Sequence, residues 1–513
     1  MSIGSRTQQS LKNSSIAMAM FLINFALQFY SRKVFLNYLG TEILGLNTTA
    51  TNLLQFLNLA ELGISSAVGF TLFKPIHDQN YQTINELVTL QKHLYRRIAY
   101  IVIIGAGVLM AWFPWIFSKM QLPLWYAYGS FGVLLLSALL GYFVNYKQIV
   151  LTASQQDYKV QLSYKSVLLF KLLAQIIAVS YFKHGYVWWL VLEAVFAIIS
   201  SVSLHITTIK TCAYLETADK TFRDLRESYP VFTLKIKQMF FHKIGGFALQ
   251  QCSPIIIYAY ASLTLVALYG NYYMIILGII SLMAAAFNSM GAGVGNLVAE
   301  GDKEKIINVF WELFSARFCI VASLCFCAYT LIPSFVTLWI GPEFLLPPST
   351  LILLIMILYI QMFRFLVNCY LDAYAMTRDI WAPIVEAVLN IGGSLILGHF
   401  WGLNGILLAV VLSLVIMVEG WKPFFLIREG MVYSVKKYIE RYVGHLVLAA
   451  VTFVIGLIIL SYIPFSHSSS NSWLAFIGNA LLNLTLYAFL LSGMLYLSFQ
   501  SFRSFVKRLR DLI

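Results

Sequence analysis

Apolar stretches longer than about 18 residues recur from one end of this chain to the other, each long enough to cross the hydrocarbon of a bilayer as a helix. They fall near 14–38, 47–73, 94–118, 123–149, 160–182, 186–209, 236–260, 266–297, 306–333, 349–376, 380–400, 403–427, 442–464 and 473–499, which makes fourteen. Hydrocarbon offers no partner to a backbone N–H or C=O, so such stretches fold as helices that satisfy their own hydrogen bonds. With 60% hydrophobic residues, 11% charged residues and a mean hydropathy of +0.78, the chain reads as an all-α polytopic membrane protein. Trp125, Tyr126, Trp188, Trp189, Trp401 and Trp473 fall near the ends of these stretches, where an interfacial aromatic belt sits. The first stretch is too long for a signal-peptide core and reads as an uncleaved span.

Charge tests the count. Most of the 35 lysines and arginines cluster in alternate loops and both tails, among them Lys92-Arg96-Arg97, Lys303-Lys305 and Arg503-Lys507-Arg508-Arg510. The intervening loops hold only Arg32, Lys33, Lys119 and Lys183 at their edges. The positive-inside rule then places both termini in the cytoplasm. The net charge of +13 reflects topology, and no nucleic-acid partner is implied.

The outward loops are short and carry two acids, Glu42 and Glu343, too few to build a sugar-processing active site. No phosphate-cradling loop, H-E-x-x-H or G-x-S-x-G occurs, and Gly291-Ala-Gly293-Val-Gly295 ends an apolar helix rather than following a strand. The six cysteines lie in spans or on the cytoplasmic side, so neither a disulfide framework nor a metal site is expected. No cofactor is expected, and the chain reads as a protein that is not an enzyme. Residues 210–235 read as a helical linker of mixed charge, TADKTFRDLRESYP.

An internal repeat follows. Tyr38 and Tyr260, Leu46 and Leu268, and Asp157 and Asp379 are each 222 positions apart; Val144 and Val367 are 223 apart, Arg96 and Arg317 221, and Pro114 and Pro333 219. These offsets imply two pseudo-symmetric six-helix lobes plus two extra C-terminal helices. The division expected is 1–215 for the first lobe, 216–430 for the second, and 431–513 for two further spans and a cytoplasmic amphipathic tail. Six is an even number, so the repeat is parallel, as in alternating-access transporters. Phe502, Phe505, Val506, Leu509 and Leu512 share one face of the tail, which predicts that 501–513 lies on the inner membrane surface and is dispensable.

Charges inside spans are costly and mark functional candidates. The cations are Arg32, Lys33, Lys171, Lys243 and Arg364, against Glu61, Glu193 and Glu386, a surplus that favours an anionic substrate. Glu312, Asp372 and Glu419 lie toward cytoplasmic ends and are set aside. Lys171 and Glu193, and likewise Arg364 and Glu386, sit on adjacent spans and can pair as structural salt bridges or touch a ligand. Arg32 either snorkels, pairs with Glu61 or faces a pathway, and Lys243 with His242 can snorkel. Glu61 is read as a coupling or gating residue against a neutral, hydrogen-bonded alternative. In span seven Gln250, Gln251, Cys252 and Ser253 precede Pro254, predicting a polar, kinked helix middle that suits a cavity wall or hinge.

The run Leu39-Gly40…Leu44-Gly45-Leu46-Asn47…Leu57…Ala60-Glu61-Leu62-Gly63-Ile64…Lys74-Pro75-Ile76 resembles the opening helices of Wzx-like polysaccharide flippases. These belong to the multidrug/oligosaccharidyl-lipid/polysaccharide exporter superfamily. The resemblance continues through Tyr269-Gly-Asn271-Tyr272, Gly295-Asn296-Leu-Val-Ala-Glu300, Leu338-Trp339-Ile-Gly341 and Glu386…Asn390-Ile391. It implies fourteen helices around a cationic cavity and the flipping of undecaprenyl-diphosphate-linked oligosaccharide across a bacterial plasma membrane. Implied partners are that lipid-linked oligosaccharide, membrane lipids, and a polysaccharide polymerase and export machinery. On this reading Arg32, Lys171, Lys243, Arg364, Gln250 and Gln251 contact substrate, while Glu61, Glu193, Glu386 and Pro254 couple or gate. Related sequences carry an acid where this chain has Ser253-Pro254, which leaves ion coupling open. A cation-coupled multidrug exporter and a membrane glycosyltransferase or polymerase are the alternatives.

Overall fold

The computed structural model describes residues 3–61, 63–230, 232, 236, 239–240, 247, 251–287, 290–376, 378–379, 381–463 and 472–512. Among these residues no strand occurs, and ten helices are long and apolar enough to cross a membrane. The one over Trp381–Gly430 breaks at Trp401 and Gly402, where φ of +54° at Gly402 leaves helical space, so it comprises two expected spans. The first expected span lies within helix Ile3–Leu39. Much of the first half of the seventh lies outside the described residues, with Lys243 and Gln250 among the undescribed. The protein is an all-α polytopic membrane protein.

The second expected span departs from a continuous helix. Helix Thr41–Leu57 gives way to a tight turn over Asn58–Glu61 and restarts at Ile64–His77. Gly63 carries φ of +95°, a left-handed conformation that favours glycine, and a Cβ there would come within 2.8 Å of the Phe240 backbone nitrogen. Gly45 is constrained in another way: a Cβ there would overlap the carbonyl of Leu263, so the helix 41–57 backbone approaches that chain directly. The Leu44-Gly45-Leu46-Asn47 and Glu61-Leu62-Gly63 motifs are therefore a close helix contact and a helix break.

The chain divides into two compact units, Met1–Ala267 and Leu268–Ile513. Each contains a long helix that follows a capping residue, Tyr81–Ile116 in the first and Lys303–Trp339 in the second. Asn80 caps the former by accepting from the Thr83 amide, and Asp302 caps the latter by accepting from the Lys305 amide. The two caps are 302 − 80 = 222 positions apart, the offset of the sequence repeat. In the first unit the linker after Thr211 is pinned back onto helix 81–116. Lys220 Nζ lies 2.8 Å from Glu86 Oε1, Tyr229 donates to Glu86 Oε2 at 2.9 Å, and Arg97 stands 3.7 Å over the Phe222 ring. The linker's short helix, Phe222–Ser228, starts in a capping box in which the Thr221 hydroxyl donates to Asp224 and holds its carboxyl below the ordinary range.

The second unit has an aromatic core along helix 303–339, built from Phe310, Trp311, Phe314, Phe318, Phe363, Tyr370 and Tyr438. Helices Val435–Ser461 and Trp473–Ser498 join this core through Tyr438, Tyr487, Leu491 and Leu495 rather than standing apart as an appendage. The tail corrects an expectation. Helix Gln500–Leu512 does not present its whole apolar face to lipid, because Phe502 is buried in the same core. Ser501 pairs with Ser315 at 2.8 Å, Phe499 stacks on His445, and Arg508 bridges to Glu312 at 3.1 Å. Val506 and Leu509 of that face remain exposed.

Candidate functional site

Glu61 sits at the helix break rather than midway along a helix, and the break aims its carboxylate at three hydroxyls. Tyr95 donates to Oε1 at 2.8 Å, Ser65 to the same oxygen at 3.2 Å, and Tyr142 to Oε2 at 3.1 Å. Ser65 and Tyr95 are 2.5 Å apart, and Tyr142 also reaches Asn58 Oδ1 at 2.9 Å. The Tyr95 and Tyr142 rings meet edge to face at 5.4 Å, which fixes both hydroxyls. Helices 64–77, 81–116 and 125–143 thus converge on one carboxylate. Arg32 is not its partner: Arg32 Nη2 donates to the Ala267 carbonyl at 3.3 Å. The alternative of an Arg32–Glu61 ion pair gives way to a hydroxyl cage, because the turn at Asn58–Glu61 swings Glu61 toward helix 81–116.

The other two acids do find the cations expected of them. Lys171 Nζ lies 2.7 Å from Glu193 Oε1, and Gln175 donates to Glu193 Oε2 at 2.9 Å, so both carboxylate oxygens are engaged. Arg364 Nη1 lies 3.2 Å from Glu386 Oε1. There Oε2 stays buried without a hydrogen bond, and so do both polar atoms of Asn390, one helical turn further on. Lys422 reaches Asn368 at 3.2 Å on the helix that carries Arg364. Gln251 is half-buried in a π-helical stretch over 251–252, and Pro254 stands where that stretch passes into helix Ser253–Tyr260.

Two features escaped the sequence. In the sequence Arg317 stands out only as the repeat match to Arg96, yet it is 97% buried and its guanidinium stacks 4.2 Å from the Phe287 ring. The signal available was its place fourteen residues into an otherwise aromatic-rich helix. The second is an apolar groove of about 610 Å³ along helices 435–461 and 473–498. Ile439, Val443, Val447 and Val451 repeat every four residues along its wall, Met494 faces them, and Glu440 stands at one end.

Among the described residues, the acids expected at span depth are thus held by a hydroxyl cage at Glu61 and by ion pairs at Glu193 and Glu386. Neither a protein-family model nor a curated protein sequence matches the chain. Among solved structures, it resembles a lipid II flippase, MurJ, in an inward-closed conformation. The TM-score is 0.66 at 13% identity over 94% of this chain and 98% of that one. It also resembles a multidrug resistance MATE family transporter of the MOP superfamily in an inward-facing conformation. There the TM-score is 0.54 at 15% identity, over 81% of this chain and 97% of that one. The protein has the fold of MOP-superfamily transporters.

Proposed function

We propose that this chain is a transporter that flips undecaprenyl-diphosphate-linked oligosaccharide across a bacterial plasma membrane by alternating access, with both termini in the cytoplasm. The observation that carries this reading is the extent of the fold likeness: the flippase structure matches 94% of the chain, the multidrug transporter 81%. The surplus of cations inside spans supports an anionic head group, and the apolar groove along helices 435–461 and 473–498 supports a long hydrocarbon tail. The division into 1–215, 216–430 and 431–513 belongs to this proposal.

Of the candidate cations, Arg32 is assigned the diphosphate. A guanidinium presents a planar fork that matches two phosphate oxygens. Glu61, Glu193 and Glu386 are assigned to coupling or gating, with Pro254 and Gln251 lining the moving segment. The sugar crosses through a polar path while the polyprenyl chain runs in the groove beside lipid. A polysaccharide polymerase and export machinery would then receive the product.

Reconstitution into liposomes with a labelled lipid-linked oligosaccharide tests this. Transfer of intact substrate between leaflets is the expected result. Chain extension would instead make the protein a glycosyltransferase or polymerase, and movement of a cationic dye without the lipid-linked sugar would make it a multidrug exporter.

A further inference from the structure

Beyond the break at Gly402 the chain is regular helix to Leu414, widens into π-helical turns over Val415–Trp421, and makes one α turn over Lys422–Phe425. It widens again over Leu426–Gly430. The sequence holds a cause for the first widening. Pro423 has no N–H, so the Glu419 carbonyl four residues earlier cannot take its ordinary α-helical bond. A π turn draws its donor from five residues on instead, and such turns concentrate at functional positions. Glu419 stands in this one, inside a membrane-spanning helix.

The residue is half-buried, but Oε1 of its carboxyl is covered and makes no hydrogen bond. Tyr442 donates to Oε2 at 2.7 Å. The Tyr442 hydroxyl lies 3.2 Å from that of Tyr359, so three groups on three spans form one chain. The other titratable side chains around it are a phenol and a thiol: Tyr438 stacks on Tyr442 from the same helix, and Cys325 of helix 303–339 stands beside Tyr359. The basic residues nearest in sequence turn elsewhere. Lys422 bonds to Asn368, Arg441 lies over the Trp311 ring, and His445 pairs with Ser315. Among the described residues no lysine or arginine forms an ion pair with Glu419. A buried carboxylate without a cation is costly, and the cost falls when the group takes up a proton.

We propose that Glu419 is a proton-binding site and that the Tyr442 and Tyr359 hydroxyls switch with it. With the proton on Oε2, Glu419 donates to Tyr442 and Tyr442 to Tyr359. Oε1 is then an uncharged carbonyl oxygen, the form in which burial without a donor costs least. When the proton leaves to water both bonds reverse, Tyr359 donating to Tyr442 and Tyr442 to Glu419. One O–H bond is made or broken, and no other covalent bond changes. Ionisable groups inside membrane helices serve as proton relays in pumps and transporters. The site is independent of what the protein transports.

Infrared spectroscopy of the purified full chain, in a detergent free of ester and carboxyl groups, reads the proton directly. At neutral pH ordinary carboxyls, with pKa values of about 4, are ionised, whereas a loaded Glu419 gives the carbonyl stretch of a carboxylic acid. That band is expected in the unaltered protein and absent from Glu419→Gln. Glu419→Asp keeps an acid and should move the band rather than remove it, which assigns the band even where Glu419→Gln does not fold. Tyr442→Phe should shift it to higher frequency, because the acid loses its hydrogen-bond acceptor. In the unaltered protein the band should vanish reversibly on raising the pH. A neutral-pH spectrum that neither Glu419→Gln nor Glu419→Asp alters would overturn the site. A band that persists at alkaline pH would make Glu419 a permanently neutral structural acid and overturn proton release. An unmoved band in Tyr442→Phe would overturn the hydroxyl switch.

Discussion

The Tyr95 hydroxyl lies 2.8 Å from Glu61 Oε1 and so ties helix 81–116 to the break that separates helices 41–57 and 64–77. The acid that the chain places at membrane depth is held by hydroxyls rather than by a cation. A hydrogen bond of this kind contributes about 1 kcal/mol. Tyr95→Phe is therefore expected to lower the thermal midpoint of the purified protein measurably, and Tyr95→Phe with Tyr142→Phe by more. Glu61→Gln keeps a hydrogen-bonding side chain in the same cage. If Glu61 couples or gates, Glu61→Gln retains the wild-type midpoint and loses transport; wild-type transport by that variant would remove Glu61 from the mechanism.

Arg32 and Glu61 have separate partners, so substitutions at the two should add rather than compensate. Arg32→Ala is expected to abolish nearly all export at normal abundance, Arg32→Lys to impair it, and Lys33→Ala to have a mild effect. Complementation of a flippase-null strain, with protein level measured alongside, gives the readout. Recovery of export by Arg32→Ala with Glu61→Ala would show that the two act as a pair after all.

The ion pairs Lys171–Glu193 and Arg364–Glu386 make the opposite prediction. Each side chain is less than 20% exposed, and removing one partner strands the other at a cost of up to about 3 kcal/mol. Lys171→Ala or Arg364→Ala should lower protein abundance, and Lys171→Ala with Glu193→Ala should restore much of it. Either single variant at full abundance with no transport would instead mark its cation as a ligand contact.

The tail should matter for stability. Phe502→Ala empties a site in the core shared with Tyr487 and Leu495, which costs about 3 kcal/mol. Arg508→Ala should cost less than about 1 kcal/mol, because that arginine is more than half exposed and its bridge to Glu312 is solvent-screened. Deletion of 500–512 is therefore expected to destabilise the protein in thermal melts. An unchanged midpoint after deletion would contradict the packing of Phe502.

Topology is checked with an impermeant thiol reagent on intact cells. Cysteines at Ser262 and Glu343 should react from outside, and those at Asp219, Lys303 and Lys436 should not. Any reversed pair would rule out the proposed orientation.

The sequence by itself determined the class. Hydrocarbon favours self-bonded helices, so length and hydropathy located the described spans apart from the break in the second, down to the interruption at Trp401–Gly402. The partners of Glu193 and Glu386 were legible because adjacent antiparallel spans joined by short loops bring residues of similar depth together. What the sequence left open was decided by side-chain direction around each helix. The turn at Asn58–Glu61 rotated Glu61 away from Arg32 and onto Tyr95 and Tyr142. Helix 303–339 turned Arg317 into an aromatic pocket rather than toward its basic end, and the same helix captured Phe502 from the tail. Helical periodicity identifies the face a residue occupies, but only packing assigns that face to lipid, to a neighbouring helix or to a cavity.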